Sequence, residues 1–214
     1  MKDILIWGAG GFGREVVWLI EGINKINPTW HIVGFIDDDI SKIGQIINGY
    51  EVIGNSEILE TYNKETWIAA SIGDPQNKTK AISKLRNPNL KYPVLIHPSV
   101  IMSRSIEIGE GTIICAGSIL TVNIKIGKHT IINLDCTIGH DAIIGNYCTI
   151  SPSVNISGNV SIGEKTFIGT GAHIINDIKI GENVVIGAGA VVVNNIPSNC
   201  TAVGIPARPI KYNE

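Results

Sequence analysis

The sequence predicts an α/β plus all-β chain. A small parallel α/β domain occupies residues 1–95, and a repeat of short strands and turns occupies residues 96–214. Three observations carry this prediction. Isoleucine far outnumbers leucine and glycine occurs 24 times, a composition suited to pleated strands and tight turns rather than to a helical bundle. Strand-like and helix-like stretches alternate through the first domain. From Ile96 a large aliphatic residue then recurs at every sixth position, a period that no helix has.

In the first domain, residues 3–7 (DILIW) form a short apolar run that reads as a strand and ends in Gly8-Ala9-Gly10-Gly11-Phe12-Gly13. A helical stripe follows, made of Val16, Val17, Leu19, Ile20 and Ile23, with Arg14 and Glu15 at its start. Residues 31–39 (HIVGFIDDD) read as a strand ending in acids, and 51–54 (EVIG) and 66–74 (TWIAASIGD) read as further strands. Residues 76–86 read as a helix, and 90–96 (LKYPVLI) as the strand that closes the unit.

In the array, the aliphatic positions run Ile96, Met102, Ile108, Ile114, Leu120, Ile126 and onward to Val192, making 17 hexads without insertion or gap. Glycine follows the aliphatic at 109, 127, 139, 145, 163, 169, 181 and 187, where the chain is expected to bend. The fifth position of each hexad is small or β-branched, from Val100 through Thr112, Ser118 and Cys136 to Ile196. A short strand plus a turn has this period.

Bulk properties exclude several classes. With 44% hydrophobic and 17% charged residues the chain is neither disordered nor collagen-like. A net charge of −2 and a pI near 6.2 offer no electrostatic reason for a nucleic-acid or anionic-membrane partner. No apolar run reaches the roughly 18–20 residues of a membrane span. Met1-Lys2-Asp3, with Gly8 soon after, does not read as a signal peptide. Cys115, Cys136, Cys148 and Cys200 lack metal-type spacing and read as reduced, buried thiols of a cytoplasmic protein.

Of five histidines, His31 falls in the first domain and His97 at the join, while His129, His140 and His173 lie in the array. His140 is set apart by the sequence Ile138-Gly139-His140-Asp141. It is third in its hexad, away from the inward aliphatic, and an acid follows it directly.

The array resembles the hexapeptide-repeat acyltransferases. Nearly the whole chain resembles a narrower group among them, the bacterial sugar acetyltransferases of the NeuD and PglD type. WGAGGFGREV, FIDDD, SIGD, IHPS, INLDCTIGHDAIIG, ISGNVSIG and the closing GIPARPIK carry the likeness. The resemblance implies a Rossmann-like domain for nucleotide sugar, followed by a left-handed parallel β-helix with three hexads per coil. At about 4.8 Å per layer, five to six coils make a prism roughly 25 Å tall. A homotrimer with active sites between subunits is also implied. Because no loop interrupts a coil, the acetyl-CoA cleft is expected between two prisms.

The resemblance further implies that His140 is the general base, that Asp141 orients or polarises its imidazole, and that Asn133 lies by the acceptor sugar. Gly158 stands one coil above His140 and is expected to leave room there for a ligand. Coenzyme contacts are implied near Gly158, Thr170, Gly171 and Ala188, with Arg208 and Lys211 toward the coenzyme phosphates. Relatives often carry a second histidine nine residues after the first. Here that position is Thr149, a departure from the pattern, and it joins the coenzyme-binding set. The three-histidine metal site of β-helix carbonic anhydrases commonly has a pair five residues apart. His129, His140 and His173 are spaced differently, so no metal is expected.

Gly8-x-Gly10-x-x-Gly13 follows a strand, precedes a helix and has Asp37 downstream, the setting of a dinucleotide fingerprint. The domain is too short for both mononucleotide halves, and no second domain for hydride transfer follows. The same glycine turn at a helix N-terminus holds any diphosphate. The resemblance makes it that of a nucleotide sugar, held by Gly8, Gly10, Gly11 and Gly13. Asp37 and Asp38 then lie close to the nucleoside, and Ile72, Gly73 and Asp74 border the site.

The expected activity is acetyl-CoA-dependent N-acetylation of a 4-amino-4,6-dideoxy sugar linked to UDP or GDP. A thioester is already activated, so a lone imidazole base suffices to take the proton of the attacking amine. Either the glycine-rich turn near Gly158 or a facing subunit supplies the oxyanion donor. An O-acetyltransferase of sialic acid or another sugar is the alternative within the same chemistry. A non-catalytic nucleotide-sugar-binding protein is the alternative outside it.

Overall fold

The computed structural model describes residues 1–212, so the last two residues of segment 96–214 lie outside the described residues. The chain divides into two compact units, Met1–Pro98 and a second beginning at Ser99.

The first unit contains β1 (Lys2–Trp7), α1 (Gly11–Ile26), β2 (Trp30–Ile36), β3 (Ile46–Ile47), β4 (Tyr50–Gly54), β5 (Thr66–Ala70), α2 (Pro75–Lys84) and β6 (Leu90–Lys91). The sheet order is β3-β4-β2-β1-β5-β6, parallel except for the β3–β4 pair. β1 is central, and Ile4, Leu5 and Ile6 on it are fully buried. The α1 stripe of Val16, Val17, Leu19 and Ile20 is buried as its spacing predicts. The helix stops because Pro28 disfavours helical geometry at Asn27, which is extended at φ −143°. α2 starts on Asp74, whose side chain accepts the Asn77 N–H at 2.7 Å, with Pro75 in the first turn.

Three expectations change here. β2 ends at Ile36 and β5 at Ala70, so Asp37–Asp39 and Ser71–Asp74 lie past the strand ends. The run 90–96 is not one strand. Leu90–Lys91 pairs with β5, whereas Leu95–Ile96 is a separate short strand outside this sheet. Pro93 lacks the N–H that a continuous ladder requires. The β3–β4 hairpin was not expected, although its Asn48-Gly49 turn, with φ of 47° and 85°, carries a recognised hairpin signal.

The second unit is a stack of two-residue parallel strands on three faces, each residue paired with the one 18 positions on. Ile113 pairs with Ile131, Ile119 with Thr137, and Lys125 with Ile143. Every aliphatic anchor from Ile114 to Val192 is buried, as is every fifth position from Thr112 to Ala190. Small polar residues suit that fifth position for a specific reason. Thr112, Thr130 and Thr166 donate to the carbonyls of Gly127, Gly145 and Gly181 at 2.8–2.9 Å, satisfying buried hydroxyls. Cys136 and Cys148 use the same kind of contact, and burial pushes the Cys136 thiol up to about 11. All four cysteines are free and buried.

The bend is not at the second-position glycines. The left-handed residue is the fourth in each hexad, from Gly111 through Asn123, His129, Asp135, Asp141 and onward to Gly189. Asn, Asp and Gly tolerate that conformation best. The second-position glycines are needed instead for close stacking. A Cβ on Gly145 would lie 2.7 Å from the Glu164 nitrogen, and one on Gly127 2.5 Å from the Asn146 nitrogen.

The repeat also shortens at its end. Ile196 bridges to Ile180 and Thr201 pairs with Val185, each 16 residues apart. Ile196 therefore takes an inward anchor place rather than a fifth position. Cys200–Val203 then pairs antiparallel with Arg208–Tyr212. Among the described residues, no helix is long and apolar enough to cross a membrane.

The two glycine roles separate by mutation. Gly145→Ala is expected to cost about 1–3 kcal/mol through backbone overpacking. Gly117→Asn, at a left-handed position with neighbours no nearer than 3.7 Å, should stay within about 0.5 kcal/mol of wild type. Urea unfolding of the two variants checks both values.

Candidate active site

Stacking at 18 residues turns the corners of the second unit into columns. On one edge the third hexad positions are Val122, His140, Gly158 and Asn176, and the fourth are Asn123, Asp141, Asn159 and Asp177. Asp141 is left-handed at φ 59°, and its Oδ2 lies 2.8 Å from Nδ1 of His140. Both side chains are more than half exposed. A carboxylate only accepts, so in the neutral imidazole Nδ1 carries the proton and Nε2 presents its lone pair. The His140 contact, and after it an amide from Asn123, holds the Asp141 carboxyl below the usual carboxylate range. Asp177 is likewise lowered by the amides of Asn159 and Asn176.

The missing side chain of Gly158 makes room for the His140 ring. A Cβ there would lie 2.4 Å from Nε2 of His140. The space is filled by the imidazole itself, which rests on the Gly158 backbone.

The remaining candidates of this unit lie elsewhere. Asn133, Thr170, Gly171 and Ala188 share the neighbouring edge, one face away from His140. Asn133 is half-buried and its Oδ1 accepts the Leu134 N–H at 2.7 Å. A Cβ on Gly171 would meet nothing within 4 Å, so its left-handed φ of 67°, not crowding, favours glycine. Thr149 is buried on a flat face. Arg208 and Lys211 are exposed on the final hairpin. Within one chain, the His140–Asp141 pair and the edge carrying Asn133, Thr170, Gly171 and Ala188 are therefore one face apart.

In the first unit, a cavity of about 410 Å³ opens at the carboxyl ends of β1, β2 and β5, lined by Trp7, Gly8, Asp37, Asp38, Ile72 and α2 residues. The sheet order reverses beside β1, and parallel α/β sheets bind ligands at such a switch point. Gly8 needs φ +112° under Ser71, whose Oγ donates to the Trp7 and Gly8 carbonyls. Gly13 is obligatory, since its Cβ would lie 1.9 Å from the Gly8 oxygen. Gly10 and Gly11 are exposed, Gly73 is half-buried, and α1 begins with no side-chain cap and no acid.

Asp37 is committed to the turn. Its carboxylate accepts from Ala9 N–H at 2.8 Å, Asp39 N–H at 3.0 Å and Lys42 Nζ at 3.0 Å. Burial opposes its ionisation, but these donors outweigh burial and leave its carboxyl below the usual range. Asp38 accepts the Ser56 N–H at 2.8 Å, and Asp74 is the α2 cap. Ser56, Asn77, Lys80 and Lys84 also line the cavity and were missed. The last three recur at helical spacing on α2, a signal available in the sequence.

Among the described residues, no group of three or more His, Cys, Asp or Glu side chains is arranged to hold a metal ion.

The model of the PglD N-terminal domain matches residues 3–85. That of the bacterial transferase hexapeptide (six repeats) matches residues 159–194. No protein with a curated description matches the chain significantly. Among solved structures, the acetyltransferase domain of PglB from Neisseria gonorrhoeae, in complex with acetyl coenzyme A, is 32% identical with a TM-score of 0.89. The match covers 98% of this chain and 99% of that one. WeeI from Acinetobacter baumannii is 32% identical at TM-score 0.88, covering 98% and 100%. A mutant of perosamine N-acetyltransferase from Caulobacter crescentus, in complex with CoA and GDP-perosamine, is 28% identical at TM-score 0.88, covering 99% and 98%.

Fold and likeness together define the class, an acetyltransferase whose second unit is a left-handed parallel β-helix. Within that class, the chain belongs to the PglD/NeuD-like family of hexapeptide-repeat acetyltransferases.

Gly158→Ala should push the imidazole aside at little cost in stability, because the group that must move is a side-chain end. Acetyl transfer is expected to fall by about tenfold or more while the melting temperature stays near wild type, as paired rate and thermal-melt measurements would read. Asp37 contributes stability that is fully present above about pH 3.9 and is lost as pH falls through its lower folded value. Asp37→Asn should therefore cost about 1–2 kcal/mol near neutrality. Melting curves of variant and wild type should converge in strong acid.

Proposed function

We propose that the chain transfers the acetyl group of acetyl-CoA to the amino group of a 4-amino-4,6-dideoxy sugar linked to UDP or GDP, with His140 as general base. The observation that carries this reading is the His140–Asp141 pair, in which one ring nitrogen is tied at 2.8 Å on an exposed edge. The relative bound to CoA and GDP-perosamine supports a nucleotide-linked amino sugar as acceptor.

In the reaction, the neutral amine attacks the thioester carbonyl and a C–N bond forms. Nε2 of His140 accepts the amine proton, and Asp141 stabilises the resulting imidazolium. The C–S bond then breaks, and the departing thiolate takes a proton to give free CoA. Atoms balance without a metal or a covalent enzyme intermediate.

The nucleotide sugar is assigned to the first-unit cavity, with Gly8, Gly10, Gly11 and Gly13 at its diphosphate and Asp38, Gly73 and Asp74 around it. Asp37 acts there by shaping the turn. Asn133 is assigned to the acceptor, and Thr149, Gly158, Thr170, Gly171, Ala188 and Arg208 to acetyl-CoA. The edge carrying His140 and the edge carrying Thr170 and Ala188 lie one face apart in a single chain. A homotrimer that sets one subunit's edge against its neighbour's brings both sets to one cleft. The exposed apolar side chains Ile101 and Ile119, on the face between these edges, support such packing. A cytoplasmic location suits a pathway that uses acetyl-CoA.

His140→Ala is expected to lower turnover by about 10²–10⁴-fold, the scale of general-base catalysis. CoA thiol release, with UDP- and GDP-linked amino sugars offered beside sialic acid, reads this directly. Near-wild-type turnover in the variant would remove His140 from the role, and preference for sialic acid would replace N- by O-acetylation.

A further inference from the structure

The carboxylate that orients His140 is itself held by a second side chain. We propose that Asn123 is a positioning residue for acetyl transfer. Its amide fixes the Asp141 carboxylate, which in turn keeps the imidazole proton on Nδ1 of His140. The inference rests on His140 being the general base.

Asn123 lies one coil below Asp141 in the same column, and its Nδ2 donates to Oδ1 of Asp141 at 3.2 Å. The other oxygen, Oδ2, faces His140 Nδ1 at 2.8 Å. A carboxylate bonded through one oxygen swings about its own Cβ–Cγ bond. A second bond, from a different coil, stops that rotation. Asn123 is anchored in turn. Its left-handed φ of 57° suits asparagine, and its N–H donates to Ser105 Oγ at 3.1 Å. Ser105 Oγ lies 2.9 Å from Ser103 Oγ. Asp141 N–H donates to the Val122 carbonyl at 3.0 Å. A continuous chain therefore runs from Ser103 through Ser105, Asn123 and Asp141 to His140.

Equivalent amides elsewhere face other partners. Asn159 donates to Asp177 at 2.7 Å and Asn183 to Asn199 at 2.8 Å. Asn123 is the amide whose acceptor also holds the base. The consequence is tautomeric. A neutral imidazole released from Asp141 takes either tautomer, and the form protonated on Nε2 has no lone pair for the amine proton.

The test uses two substitutions in the full-length protein. Asn123→Gly removes the amide and keeps the left-handed turn. Asn123→Asp keeps the shape but replaces the donor with an acceptor. Asn183→Gly, at the same turn position on another edge, reports the structural cost of losing a ladder amide. Both Asn123 variants should lower kcat by about tenfold or more, the usual scale for an orienting partner, with KM for either substrate little changed. Their melting temperatures should match that of Asn183→Gly. Imidazole nitrogen NMR should show His140 moving from one neutral tautomer to a mixture. Wild-type kcat in folded Asn123→Asp, or an unchanged nitrogen spectrum, would overturn the proposal. His140→Ala runs alongside. If it keeps its rate, the base assignment falls. If it loses its rate while both Asn123 variants keep theirs, only the positioning role falls.

Discussion

The 18-residue register between coils is the constraint from which the rest of the second unit follows. Each strand is two residues long and has almost no stability of its own. Its backbone is satisfied only by the coils above and below, so pairing such as Ile131 with Thr149 and Thr149 with Phe167 must continue unbroken. That requirement fixes the side chains inside and at the corners. Aliphatic anchors and small fifth-position residues fill the interior. Where the fifth residue is polar, its hydroxyl or thiol reaches a carbonyl 15 residues on, as Ser118 reaches Asn133 at 2.9 Å. Glycine enters where one coil's turn lies on the next coil's backbone.

The same register makes the site. Stacking places residues 18 apart in direct contact, so each corner becomes a set of vertical neighbours. His140 rests on Gly158 because no other residue leaves room for a ring there. Asp141 faces His140 because the fourth position is left-handed and turns its side chain back toward the residue before it. Asn123 reaches Asp141 because one coil separates them. A rigid scaffold thus orients a small set of exposed side chains, an arrangement that limits reorganisation during a reaction.

Much of this was legible in the sequence. Period six specified a repeat of short strands and turns, the family resemblance made it a coil, and the His140-Asp141 dipeptide stood out against Ile138. What escaped was the difference between crowding and bending. Both favour glycine, so Gly139 and Gly171 look alike in sequence although one packs on backbone and the other faces open space. The fourth-position Asn and Asp residues were the better signal for the bend, since they recur with the same period. Gly158 was recognised as a neighbour of His140, but a missing side chain does not say whether a ligand or an adjacent ring uses the space. In the first unit, strand ends were overextended because acids after a hydrophobic run carry no marker of where pairing stops. Ser56 approaches the crevice only through tertiary folding, whereas Lys80 shares a helical face with Asn77 and Lys84.

The two units solve an orientation problem in the same way. At the glycine turn, Asp37 takes N–H groups from Ala9 and Asp39 and an ammonium from Lys42. At the coil edge, Asp141 takes an amide and an imidazole. In each case both carboxylate oxygens accept from the protein's own donors, and the carboxylate fixes a neighbour. The groups that the fold leaves facing outward are the uncapped start of α1, the polar side chains of α2 at the crevice and the His140 ring at the edge. Holding these groups in place before substrate arrives lowers the ordering cost of binding.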